Sequence, residues 1–244
     1  DVFGGRAPAA IILTHGHFDH VGALRQLADE WDVPVFAHPL EMPFLDGRDD
    51  YPPPDPTVGG FMAQMSRFFP RGGINIKHKL LAFPADNTIP HLPAWRIVHT
   101  PGHTSGHVSL FREEDRCLIA GDAVITMNQE NAAKMMSHVR EFRRPPVYFT
   151  QDWESARDSV RKLADLQPSV VASGHGLPIF GENTAQQLRE FADAFTAPRH
   201  GRYVSDPVVT DAEGVVSIPP APRDPVPAYA AGIAMAAAGL MLLG

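Results

Sequence analysis

Four short apolar runs in this chain each lead into a histidine or an aspartate, and that repeated pattern restricts the fold more than any other feature. Ala9-Ala10-Ile11-Ile12-Leu13 leads into Thr14-His15-Gly16-His17-Phe18-Asp19-His20. Trp95 to Thr100 leads into Pro101-Gly102-His103-Thr104-Ser105-Gly106-His107, Cys117-Leu118-Ile119-Ala120 into Gly121-Asp122, and Ser169 to Ser173 into Gly174-His175. Runs this short and this rich in β-branched residues read as buried strands. A carboxylate at the end of such a strand is costly unless it is paired or bound to a cation. The strand ends at 14, 100, 120 and 173 are therefore expected at one common edge.

The residue types at those ends are metal ligands. His15 and His17 are two apart, so in an extended segment they project to the same side, whereas Asp19 and His20 lie where the chain turns into a helix. With His103, Asp122 and His175 the candidate set numbers seven donors. Nitrogen and oxygen donors of this kind suit zinc, with iron and manganese as alternatives. Seven is too many for one tetrahedral site and fits two cations that share a carboxylate. His107 reads as support behind the ligands rather than as a ligand itself.

Composition narrows the remaining classes. A chain of 244 residues with 44% hydrophobic and 20% charged residues is an ordinary globular α/β composition with ample material for a core. Net charge is −7 and no lysine-arginine run stands out, so nucleic acid is not the expected partner. The single Cys117 excludes an internal disulfide framework and a multi-cysteine zinc site, and reads as a small buried residue of a strand. Domain organisation follows composition: 1–218 as the folded domain, 219–227 as a proline-rich linker, and 228–244 as an uncharged Ala-Gly-Leu-Met segment. That last segment is near the lower length limit for crossing a bilayer. It reads equally as a membrane helix or as a small-residue helix or tail, so the expected location is the cytoplasm, with membrane association through 228–244 as the alternative.

Between the motifs, helical spacing predicts helices over Val21 to Trp31, Glu154 to Leu166 and Thr184 to Phe195. Asp32 to His38 is a turn and a strand, which makes a β-α-β unit and a parallel pair. The proline-rich stretch from Asp46 to Pro56 is expected as a rim or lid, and Phe61, Met62, Met65, Phe68 and Phe69 as core at helical spacing. Tyr51 and Tyr148 could offer hydroxyls to a pocket, though packing is the simpler role. Thr126 and Gln129 are placed to border the cavity. Arg202 reads as a solvated cation, with an anionic substrate as the alternative.

Taken together, the motifs from His15 to His175 resemble the metallo-β-lactamase superfamily. That resemblance implies a four-layer αββα sandwich, with one metal on His15, His17 and His103, the other on Asp19, His20 and His175, and Asp122 bridging them. Pro101 to His107 looks like the glyoxalase-II-type branch. His38-Pro39-Leu40-Glu41, Tyr51 to Pro56 and Phe149 to Glu154 are similar to a bacterial subgroup. The chain departs from these patterns in several places. Few residues stand before the first motif, where the family normally has a set of strands, so an incomplete sandwich with an unpaired sheet edge is the expectation for these residues. A true glyoxalase II carries a helical glutathione-binding domain, whereas one clear helix, Thr184 to Phe195, is expected after His175 here. Ile125 stands where the lactone-cleaving branch has tyrosine, and His17 where the flavin-linked di-iron branch has glutamate.

Two cations about 3.5–4 Å apart can share a bridging hydroxide and lower the pKa of water from 15.7 to roughly 7. The leading expectation is therefore a binuclear zinc hydrolase that cleaves a thioester, a lactone or another small ester. Asp19 would orient the nucleophile, and Asp122 would join the metals. Two alternatives stand beside it: a mononuclear-iron dioxygenase of the persulfide type, and a non-catalytic binding protein on the same fold.

Overall fold

The computed structural model describes residues 6–72, 74–137 and 139–224. The segment 228–244 lies outside them, as does the end of the proline-rich linker. Among the described residues no helix is long and apolar enough to cross a membrane.

The chain opens with β1 (Ile11–Ile12), α1 (Phe18–Val21), α2 (Leu24–Trp31) and β2 (Val35–Ala37). The single helix expected over 21–31 is in fact two, broken at Gly22-Ala23, because the helical turn that carries Asp19 and His20 is separate from the amphipathic α2. α2 ends where Asp32 takes a left-handed conformation, φ 53°. Then follow α3 (Met42–Leu45), α4 (Phe61–Met65), β3 (Leu80–Ala82), β4 (Trp95–His99), β5 (Val108–Arg112) and β6 (Cys117–Gly121). The last part holds α5 (Ala132–Met136), α6 (Trp153–Asp165), β7 (Val170–Ser173), β8 (Ile179–Phe180), α7 (Thr184–Asp193) and a hairpin of β9 (Val209–Asp211) and β10 (Gly214–Ser217).

The described strands form two larger sheets. One is parallel, in the order β1-β2-β3, with Ile11 opposite Val35. The other runs β4-β5-β6-β7-β8, antiparallel except for β6 beside β7. Because successive side chains of a strand point to opposite faces, each sheet has two apolar faces and three cores result. Ile11, Leu13, Val35, Ala37 and Leu80 pack against Leu24 and Ala28 of α2. Ile12 and Phe36, on the opposite face, meet Ile97, Val108, Leu110 and Ile119 of the second sheet. Val98, Phe111, Leu118, Ala120 and Val171 face α6 and α7 through Ala156, Val160, Leu163 and Leu188. Helix, sheet, sheet and helix are thus four layers, as the resemblance implied.

Three expectations about the connections need correction. The stretch from Asp46 to Pro56 is exposed at Gly47, Arg48 and Asp50 but does not stand free as a lid: Tyr51, Pro52 and Asp55 are buried, because Asp55 accepts bonds from Thr57 and Arg202 and Tyr51 is drawn inward by Glu41. The apolar residues of 61–69 are not core as a set. Ala63 is buried, yet Phe61 and Met65 are exposed and Phe68 is 78% exposed, since α4 has only five residues and packs through one side. Cys117 is half-buried rather than enclosed.

Candidate metal centre

The first motif is drawn out of its own sheet and onto the other. Leu13 N–H donates to the Phe36 carbonyl of β2 at 2.9 Å, and one residue later the Thr14 carbonyl accepts from Val108 N–H at the start of β5, also at 2.9 Å. The loop carrying His15 and His17 therefore crosses from one sheet to the other at the end where the remaining motifs emerge. The second motif occupies the β4–β5 turn, Asp122 follows β6, and His175 follows β7. Parallel pairing of β6 with β7 puts Asp122 and His175 at the same end, and Gly174 N–H donates to the Gly121 carbonyl at 2.9 Å.

All seven predicted ligands meet here. Nitrogen atoms of His15, His17 and His103 lie within 4.8 Å of one another, as do ligand atoms of His15, His20 and Asp122, and those of Asp19, His20 and His175. His17 Nδ1 is 2.9 Å from His103 Nε2. Asp122 Oδ2 is 3.1 Å from His175 Nε2 and 3.5 Å from both His20 Nε2 and His103 Nε2, so it reaches both groups. Asp19 Oδ2 lies 3.3 Å from His175 Nε2. His15, His17, His103 and Asp122 are buried, whereas Asp19 is exposed and His20 and His175 half-buried. The site opens on the side of the second trio.

Surrounding bonds fix the imidazoles. The Thr150 hydroxyl donates to the Pro146 carbonyl at 2.8 Å, which leaves it as an acceptor for His103 Nδ1–H at 3.3 Å and turns the Nε2 lone pair inward. His107 lies behind Asp122. Asp122 N–H donates to His107 Nε2 at 2.9 Å, so the proton is on Nδ1, which reaches the Thr100 hydroxyl at 2.9 Å. That bond holds the backbone of Asp122. The His17 ring stacks on Phe149 with centroids 4.5 Å apart.

The electrostatics suit a cation. Burial and the neighbouring imidazoles hold His15 and His103 well below the usual histidine range; burial takes His17 down to about 3. These rings are neutral, so each has a lone pair that a cation could use. Burial disfavours charge on His175 as well, but Asp122 and Asp19 outweigh it and raise this imidazole to about 10. Four buried atoms in the cluster, His15 Nε2, His17 Nε2, His20 Nε2 and Asp122 Oδ1, have no hydrogen-bond partner. Such atoms cost about 1–3 kcal/mol each when left unmet. A concentration of them on ligand-type residues fits divalent metal.

A family model for the metallo-beta-lactamase superfamily matches residues 2–175. The chain belongs to the metallo-beta-lactamase superfamily. Within this superfamily it is 47% identical, over 77% of its length and 72% of the relative's, to a protein of Bacillus subtilis named probable metallo-hydrolase YflN. A second relative from the same organism, named probable metallo-hydrolase YybB, is 30% identical over 69% of this chain and 64% of its own. Among solved structures the fold is similar to the BLEG-1 B3 metallo-beta-lactamase, with 24% identity, a TM-score of 0.52 and coverage of 79% of this chain and 77% of that one. It is also similar to the superfamily protein ST1585 from Sulfolobus tokodaii, with 19% identity, a TM-score of 0.51 and coverage of 79% and 69%.

Other candidates are engaged by neighbours outside the ligand set or by its backbone. Tyr51 gives its hydroxyl to Glu41, and Tyr148 gives its own to Gln129 at 3.4 Å. Thr126 bonds the His175 carbonyl at 3.1 Å and so borders the site through the backbone. Arg202 Nε donates to the Pro219 carbonyl at 2.7 Å, which makes it a structural tie rather than a solvated cation. Thr150 and Glu41 had no individual signal in sequence. Both sit in segments that resemble a bacterial subgroup, and that likeness was the one available pointer.

Proposed function

We propose that this protein is a binuclear metal-dependent hydrolase acting on a thioester, a lactone or another small ester. The observation that carries this reading is that His15, His17 and His103 cluster, as do Asp19, His20 and His175, with Asp122 Oδ2 within 3.5 Å of a histidine of each trio. His15, His17 and His103 would hold one cation, and Asp19, His20 and His175 the other. Zinc suits this nitrogen-rich set best, with iron or manganese as alternatives. When bound, the cations would supply water activated at neutral pH and positive charge for a developing oxyanion.

The chain's own contribution is placement. Asp19 is the exposed carboxylate of the set, so it can orient the attacking water and take up its proton. Asp122, held by His107 through its backbone, keeps the two ligand groups in register. The names of the Bacillus subtilis relatives support a metallo-hydrolase. A Haemophilus influenzae relative named hydroxyacylglutathione hydrolase GloC, 29% identical over 47% of this chain, supports an acyl substrate.

The test is metal content measured together with turnover on thioester, lactone, phosphodiester and β-lactam panels, for the parent and for Asp122→Ala. The variant should lose one metal equivalent and the activity with it. An unchanged metal count removes Asp122 from its bridging role. Oxygen uptake by a mononuclear-iron form would replace the hydrolase reading with the dioxygenase one.

A further inference from the structure

Glu41 follows β2 and lies outside the ligand set, yet it is a fully buried carboxylate. A group of this kind is strongly unfavourable in the interior unless its oxygens are met by donors. Each oxygen here meets two. Oε2 accepts from Gly16 N–H at 3.1 Å and from the Tyr51 hydroxyl. Oε1 accepts from the Thr104 hydroxyl at 2.5 Å and from Gly106 N–H at 3.1 Å.

The positions of those donors matter. Gly16 stands between His15 and His17, whereas Thr104 and Gly106 stand between His103 and His107. One oxygen thus holds each histidine loop. Contact is close enough that a Cβ at position 106 would meet Glu41 Cγ at 2.7 Å. Tyr51 extends the same network, since its oxygen also accepts from Gly16 N–H at 2.9 Å and its ring lies 4.5 Å from that of His17.

We propose that Glu41 is a positioning residue that clamps the His15–His17 loop to the His103–His107 loop and so sets the spacing of His15, His17 and His103 for metal. The physical reason is that the two loops leave different sheets. The sheets meet through apolar side chains, and such contact is non-directional, so it cannot hold three imidazoles to a defined geometry. A single backbone bond, Val108 N–H to the Thr14 carbonyl, ties the loops at the strand ends. One tie allows a pivot. Besides the approach of His17 Nδ1 to His103 Nε2 at 2.9 Å, which is between the ligands themselves, the Glu41 carboxylate is the further tie, and it grips the backbone of both loops.

This inference rests on the metal reading above, and the experiment separates the two. Glu41→Gln, Tyr51→Phe and Thr104→Val are compared with the parent in zinc affinity by chelator competition. The visible absorption of the cobalt-saturated proteins and their circular dichroism are recorded alongside. Glutamine keeps the size of the side chain but puts an NH₂ donor where an oxygen accepted two bonds. It should weaken binding at the three-histidine site by about 10- to 100-fold, the scale seen when partners of metal ligands are removed, and shift the cobalt absorption. Loss of one hydroxyl should weaken it by about two- to tenfold. A purely structural role would lower thermal stability and leave the cobalt spectrum at saturation unchanged. Should Glu41→Gln fail to fold, the two hydroxyl variants decide. Folded variants with parental affinity and spectrum overturn the clamp; a parent that takes up no metal overturns the site reading instead.

Discussion

Replacing Gly174 by alanine adds one methyl group at the point where β7 turns toward His175. A Cβ there would stand 2.6 Å from His20 Cε1 and closer still to Asp122 Oδ1, whereas ordinary contact begins near 3.4 Å. His20 must therefore retreat by about 0.8 Å and Asp122 by more. Asp122 has nowhere to go, because it is buried and its N–H is held by His107. Displacement on the 1 Å scale costs on the order of 10²-fold in rate, or about 2.7 kcal/mol. None of the three atoms nearest the added methyl belongs to His15, His17 or His103. The variant should thus keep the metal of the buried trio and lose the one that depends on His20 and Asp122. Metal analysis, circular dichroism and kcat/KM on an ester that the parent cleaves would read this out. Gly22→Ala is the control: its nearest neighbour would be Phe18 O at 3.6 Å and its φ is −55°, so it should be neutral or slightly stabilising. Gly174→Ala with two metals and parental kcat/KM would refute the reasoning.

The outer core gives a second prediction. Leu163 is fully buried on α6 against the second sheet, so Leu163→Ala should cost about 2–5 kcal/mol in urea unfolding, with metal content unchanged in the folded fraction. A third concerns pH in the metal-free protein. Burial and the His99 ring, stacked 4.3 Å away, lower His38 from 6.5 to about 4. In that window the unfolded chain binds the proton and the folded one does not, so this contribution is complete above about 6.5 and is lost as pH falls toward 4. His38→Asn keeps an acceptor for Leu40 N–H, which His38 now takes at 3.2 Å, and removes the titration. Stability measured from pH 7 downward should fall less steeply in the variant. Equal slopes would show that His38 titrates normally.

What the sequence by itself determined was the set of strand ends and the chemistry they carry. Short β-branched runs are legible because they are local, and all seven candidate ligands follow them directly. The wide helix Trp153–Asp165 was equally legible from its apolar spacing, with Ala156, Val160 and Leu163 inward. Only the tertiary structure decided how far apart these groups stand and what braces them. That His17 Nδ1 comes within 2.9 Å of His103 Nε2 depends on how two sheets pack, and the spacing of 17 and 103 along the chain carries no distance. Glu41 and Thr150 carry no individual signal for the same reason: the histidine loops they hold come from remote segments. The exposed face of residues 61–69 and the buried Tyr51 show the limit from the other side. An apolar or aromatic residue acquires its burial from whatever element covers it, and that cover is supplied by the fold as a whole.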